Sequence, residues 1–222
     1  MKTIVNHTVS RVVLLGVLLS LFSLSSLSTV ASTDVKESQR TTTTKWVLQL
    51  DDMGVQVWTA TVEGSKFKKF KGEIQINAPI DAVVDLIQDT EQLPEWYYNT
   101  VSAKQLKSMG PNQSLKYAVT KAPWPVTNRD SVVLGTKYIA KNGTITITLE
   151  GHPDEYPRQE NLIRIPVLSG YWIITPISKS LTHIEFMVAA EPGGEIPSWL
   201  ANSMVIDMPF YTLKNLREKL EK

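Results

Sequence analysis

Hydrophobic periodicity switches from strand to helix only twice along the chain, and this restricts the fold more than any other feature. In "FKGEIQI", Phe70, Gly72, Ile74 and Ile76 share one face of a strand, and Lys71, Glu73 and Gln75 share the other. The next stretch, "APIDAVVDLIQDTEQLPEWY", switches to a helical stripe of Val83, Leu86 and Ile87. Pro79 suits its first turn, Asp81 lies near the positive end of the helix dipole, and Pro94 ends or restarts the helix before "EWY". Period two then returns, with strands expected over 100–108, 114–121, 130–140, 144–150, 161–175 and 180–190. "GPNQ", "KNG" and "SKS" supply hairpin connectors. The second switch is the tail, where Trp199, Leu200, Met204, Met208, Tyr211, Leu216 and Leu220 recur at helical spacing around an internal Pro209. Consecutive short strands with polar outer faces describe a curved antiparallel sheet. The expected class is α+β, with one long C-terminal helix.

Before the first strand, "VVLLGVLLSLFSLSSL" follows Lys2 and Arg11 and leads to small residues, with cleavage expected near Ala31 or Ser32. The organisation read from this is a signal peptide at 1–31, a polar tether at 32–44 and one domain at 45–222. The alternative is an uncleaved anchor, since the run is near the lower limit for spanning a bilayer. The chain has no cysteine, so neither disulfides nor a lipidated cysteine is available, and an exported protein must rest on core packing. Lys+Arg number 23 against 22 Asp+Glu, a balance that argues against nucleic-acid binding.

"KAPWPVTNRDSVVL" places two prolines around Trp124 and then an Arg-Asp pair at the start of an apolar strand. The prolines hold an extended turn ahead of the ladder, and Trp124 can cover a cavity mouth or a sheet corner. Arg129 and Asp130 read as a structural ion pair fixing the turn, with ligand contact by Arg129 as the alternative. Catalytic signals are sparse. His152 sits in "GHPDEYP", read as a solvated loop, and His183 points outward beside Glu185. No Ser-His-Asp order, phosphate loop or metal-ligand spacing stands out. No catalytic residue, metal or cofactor is therefore expected.

Four blocks together resemble one family. They are "WVLQLDDMGVQVWTA", "APIDAVVDLIQDTEQLPEWY", "PWPVTNRDSVVL" and "EPGGEIPSWLANSMVIDMPFYTLKNLREKL", in that order over residues 46–220. The sequence is similar to the START family, the steroidogenic acute regulatory protein-related lipid transfer domains, and especially to exported bacterial relatives. Tyr97 stands where the family's helical insert has an aspartate. The resemblance implies a helix-grip fold, a sheet wrapped around the terminal helix and enclosing an apolar cavity. Some members place an acidic residue and an arginine as a buried pair in that cavity. The matching positions here are Lys116 and Gly135, so the pair is absent.

With a cavity implied, the candidate ligand-binding residues are Leu115, Tyr117, Val119, Trp124, Phe186, Trp199, Met204, Met208 and Tyr211. Methionine suits an adaptable apolar surface. The expected function is non-enzymatic binding or transfer of a lipid or other hydrophobic small molecule, outside the cell or in the periplasm. The expected partners are that ligand and, transiently, a membrane, with the protein a monomer that binds no nucleic acid. Two alternatives stand beside it: a cyclase- or hydrolase-like enzyme of the wider helix-grip superfamily, and an interaction domain whose groove takes a peptide. Pro209 and "EPGGEIP" mark 193–208 as the segment expected to open over the ligand.

Overall fold

The computed structural model describes residues 44–222, so the expected signal peptide and the tether up to residue 43 lie outside the described residues. Three strands come first: β1 (Val47–Asp52), β2 (Val55–Thr61) and β3 (Lys68–Ile76). Two helices follow, α1 (Ile80–Gln88) and α2 (Leu93–Trp96). Then come β4 (Thr100–Ser108), β5 (Gln113–Thr120), β6 (Arg129–Ile139), β7 (Ile145–Gly151), β8 (Ile163–Arg164), β9 (Val167–Pro176) and β10 (Thr182–Glu191), and α3 (Ser198–Leu220) closes the chain.

Nine strands form one antiparallel path in the order β1-β2-β3-β10-β9-β7-β6-β5-β4. The short β8 runs parallel beside β6. The single strand expected over 161–175 is thus two, because Pro166 has no N–H to give a ladder and stands between them. The edge strand β4 carries exposed Lys104 and Lys107 and two register irregularities, features that discourage pairing with another chain.

The helical insert forms as its stripe predicts. Pro79 is the N-cap of α1, and Val83, Val84, Leu86 and Ile87 are buried. Pro94 falls within the first turn of α2, where its missing N–H costs nothing, and Trp96 is buried behind it. Arg129 and Asp130 do not pair with each other. Neighbours in a strand point to opposite faces, so β6 sends Arg129 to the inner face and Asp130 to the outer one.

Helix α3 crosses the inner face of β2 and β3. Leu213 and Leu216 are fully buried there. A Cβ at Gly72 would lie 2.8 Å from Leu213 Cδ1 and 3.0 Å from Pro209 Cβ, so the absence of a side chain is what lets the helix approach. The rear half of α3 is also tied down by polar contacts. Tyr98 N–H donates to Thr212 Oγ1 (3.3 Å), Asn215 donates to the Trp96 carbonyl (3.0 Å), and Arg217 donates to the Met53 carbonyl (2.7 Å). Lys219 pairs with Glu95, and Glu221 just beyond the helix accepts from Asn77 N–H (2.7 Å). Among the described residues, the front half offers only Ser203, whose hydroxyl donates within the helix to the Leu200 carbonyl (2.8 Å).

Candidate ligand cavity

Between the front half of α3 and the sheet lies a cavity of about 250 Å³. Strand alternation decides which side chains reach it. On β6 the odd positions from Arg129 through Ser131, Val133 and Gly135 to Lys137 line it, a run of about 26 Å along the strand. On β5 the even positions do: Ser114, Lys116, Ala118 and Thr120. Ile147, Leu149 and Trp172 form the wall from β7 and β9, and α3 contributes Ala201, Met204, Val205 and Met208.

This differs from expectation in a systematic way. Of the nine candidates, Met204 and Met208 line the cavity. Leu115 and Tyr117 are buried on the opposite face with Val132, and Val119 packs against them. That outer face is not wet. The loop carrying Tyr156 folds over it, with the Tyr156 and Tyr117 rings 4.9 Å apart. Phe186 is fully buried behind the wall, stacked on Trp172 at 3.9 Å between ring centroids, so it supports the lining without facing the space. Trp199 is 73% exposed on the outer side of α3, and Trp124 is 92% exposed on its loop. Tyr211 stacks on Tyr98 at 4.9 Å and does not line the cavity.

The two charges of the Arg-Asp step each find a separate role. Arg129 donates to the carbonyls of Thr127, Pro192 (3.4 Å) and Gly193 (3.2 Å), anchoring the segment that leads into α3. Asp130 receives both ends of the Arg164 guanidinium, Nε at 3.0 Å and Nη2 at 2.8 Å, with both side chains 1% exposed. Arg164 spends its other donors on the carbonyls of Pro153, Tyr156 (2.9 Å) and Pro157 (3.1 Å). The "GHPDEYP" loop, read from sequence as solvated, thus wraps a buried arginine. The sequence reading missed Arg164; an arginine inside the apolar run "NLIRIP" was the available signal. His152 and His183 are half-buried, 3.9 Å from Glu150 and 3.8 Å from Glu73 respectively.

One end of the cavity is polar. Lys116 Nζ donates to the Gln88 carbonyl at the end of α1 (2.8 Å), and Lys137 Nζ donates to Gln88 Oε1 (3.2 Å). Burial holds the Lys116 pKa down to about 8, partly offset by the nearby Asp89 carboxylate. Burial also raises the Tyr97 pKa, so that phenol stays protonated. The opposite end is closed by Phe67, Ile196, Leu200 and Ala201, with Val126 packed against them.

The START domain family model matches residues 32–222. The chain belongs to the START domain family. An uncharacterized protein of Pseudomonas aeruginosa is 38% identical over 177 residues, which is 80% of this chain and 87% of that protein. The crystal structure of a STAR-related lipid transfer protein from Xanthomonas axonopodis superposes with a TM-score of 0.75 at 37% identity, covering 80% of this START domain chain and 99% of the other. Human StAR-related lipid transfer protein 5 shares the fold at 15% identity, with a TM-score of 0.71 over 79% of this chain and 86% of that one. The helix-grip architecture expected from the sequence is the one these START proteins share.

Proposed function

We propose that this START domain protein binds a lipid or other hydrophobic small molecule in the cavity and releases it unchanged, as an exported carrier. The observation that carries the reading is the pairing of the cavity with an unevenly anchored lid. The rear half of α3 is bonded to the sheet and to α2, while the front half covers the cavity with Met204, Val205 and Met208 and lacks such bonds among the described residues. Removing apolar ligand surface from water supplies the affinity, at about 25 cal/mol per Å². Among the described residues, the lining holds no histidine, aspartate or glutamate, and its acid-base groups are lysine, arginine and tyrosine. The name of the Xanthomonas axonopodis relative, a lipid transfer protein, points the same way. Export is supported by the apolar N-terminal run and by a family match that begins at residue 32, directly after the expected cleavage site.

Loading at a membrane fits the surface at the Arg129 end. Trp124 and Trp199 are strongly exposed there, beside the apolar cluster of Phe67, Ile196 and Leu200. Exposed Lys66 and Lys121 flank it in sequence. Tryptophan rings settle at the headgroup level of a bilayer.

Organic extraction of the purified mature protein, followed by mass spectrometry, tests the reading. One hydrophobic class at near-equimolar amount is the expected result. Absence of any extractable lipid, together with no binding of a fluorescent fatty probe, refutes it. Recovery of a converted product makes the protein an enzyme instead.

A further inference from the structure

The charged lining of the cavity has a single sign. Lys68, Lys116, Lys121, Arg129 and Lys137 face it, and no carboxylate does, although acidic and basic residues are almost equal in number over the whole chain. Each of the three nitrogens of Arg129 already donates to a backbone carbonyl. Lys116 and Lys137 are less fully used. An ammonium carries three donors, and each of these lysines spends one on Gln88. Among the described residues, the lysine ion pairs are made by Lys71, Lys214 and Lys219.

A simple structural account is that Lys116 serves only to neutralise the C-terminal end of α1, where cations are favoured. That account covers one donor of Lys116. It does not explain why Lys137, from the next strand, converges on the same residue. Nor does it explain the space beside them. Gly135 lies between Val133 and Lys137 on the cavity face, and a Cβ there would meet nothing closer than 3.9 Å. A bare backbone position next to two under-used ammonium groups leaves room for a group that needs donors.

We propose that the cavity is specific for a single-chain amphiphile with an anionic head, a carboxylate or phosphate, and that Lys116 and Lys137 hold the head beside Gly135. The inference rests on the carrier reading above. The tail runs from this end toward Arg129, past Leu149, Trp172 and Met204. A volume of about 250 Å³ lies just below the roughly 300–1,000 Å³ that small-molecule sites span, which leaves room for no more than one chain. An anion also relieves the burial of charge that lowers the Lys116 pKa.

Calorimetric titration with hexadecanoate, hexadecyl phosphate, hexadecanol and hexadecyltrimethylammonium, all below their aggregation limits, decides the matter. The two anions are expected to bind about 10- to 100-fold tighter than the alcohol, the range of charge-assisted hydrogen bonds, and the cation weakest. In the variant Lys116→Met with Lys137→Met, anion affinity falls to that of the alcohol. Gly135→Val, which fills the head space, lowers anion affinity in a protein whose lysines are intact. Lys107→Met, an exposed change on β4, leaves the preference in place. Equal binding of alcohol and anions by the unaltered protein overturns this inference while the carrier reading stands. Binding of none of the four overturns this inference; the carrier reading falls with it only if organic extraction also yields no lipid and the fluorescent fatty probe does not bind. Displacement of hexadecyl phosphate by millimolar inorganic phosphate assigns the lysines to a free anion and overturns the amphiphile.

Discussion

Replacing Lys116 by methionine should make the protein more stable at neutral pH. Burial holds the lysine pKa at about 8 against an ordinary 10.5. At roughly 1.4 kcal/mol per pH unit, keeping this side chain charged in the folded protein costs about 3 kcal/mol at pH 7. Methionine has a similar length and no charge to desolvate. The substitution also leaves the Gln88 carbonyl without its donor, a loss of about 1–3 kcal/mol. The net expectation is a gain of up to about 2 kcal/mol, or as much as several degrees in Tm for a domain of this size. The pH dependence is the sharper test. The folded pKa lies below the unfolded one, so between about pH 8 and 10.5 the unfolded chain keeps a proton that the folded chain has lost. Over that window the original protein gains stability relative to the variant. Near pH 10 the order reverses, because less than about 1 kcal/mol of the charge penalty is left and the lost hydrogen bond outweighs it. Paired urea denaturation curves at pH 7 and pH 10 measure this. If Lys116→Met is the less stable protein at pH 7 and the difference does not move with pH, then Lys116 is not desolvated and its placement in the cavity wall is wrong.

Removing Arg164 alone, as Arg164→Met, leaves Asp130 buried without a counter-charge and should cost about 3–5 kcal/mol by chemical denaturation. The double change with Asp130→Leu should recover most of that loss. Gly72→Ala pushes a methyl against Leu213 and Pro209 and should cost about 1–3 kcal/mol, read as a lower urea midpoint with an unchanged slope. Arg129→Ala frees the carbonyls of Pro192 and Gly193 and should cost about 1–3 kcal/mol. Hydrogen exchange in that variant should speed up over 192–205 and stay unchanged over 210–220. Without any mutation, exchange in the front half of α3 should exceed that in the rear half and slow when hexadecanoate is added.

The order of the elements was legible because each switch of period spans many residues. The alternations of β3, β5 and β10, the stripe of α1 and the tail helix all appear where the pattern puts them. The cavity lining was not legible, and β5 shows why. Its pattern separates Leu115, Tyr117 and Val119 from Lys116, Ala118 and Thr120 correctly, but an alternation does not say which set faces inward. Assigning the apolar set to the inside holds when the other face is wet. Here both faces are covered, the inner by α3 and the cavity, the outer by the loop around Tyr156. In α3 the apolar residues at the margins of the stripe, Trp199 and Tyr211, misled for a related reason. An exposed helix end and a ring stacked on Tyr98 both hold aromatic residues outside the core.

The Arg-Asp step at the start of β6 is where these two covered faces meet. A strand that opens with opposite charges wastes one of them if only one face is buried, because the second then sits in water with little to do. With both faces buried, each charge secures a different loop. On the inner side Arg129 reaches the carbonyls of the segment entering α3, fixing where the lid begins. On the outer side Asp130 fixes Arg164, whose remaining donors gather the loop that seals Tyr117 from solvent. The prolines just upstream belong to the same arrangement, since they keep the chain out of the ladder until Arg129, where β6 first pairs with β5 and β8 at once. The anchor of the segment entering α3 is therefore rigid on its far side. In the opening proposed above, the front half of α3 would move against that fixed point on the sheet, and the wall that holds Lys116 and Lys137 would stay in place.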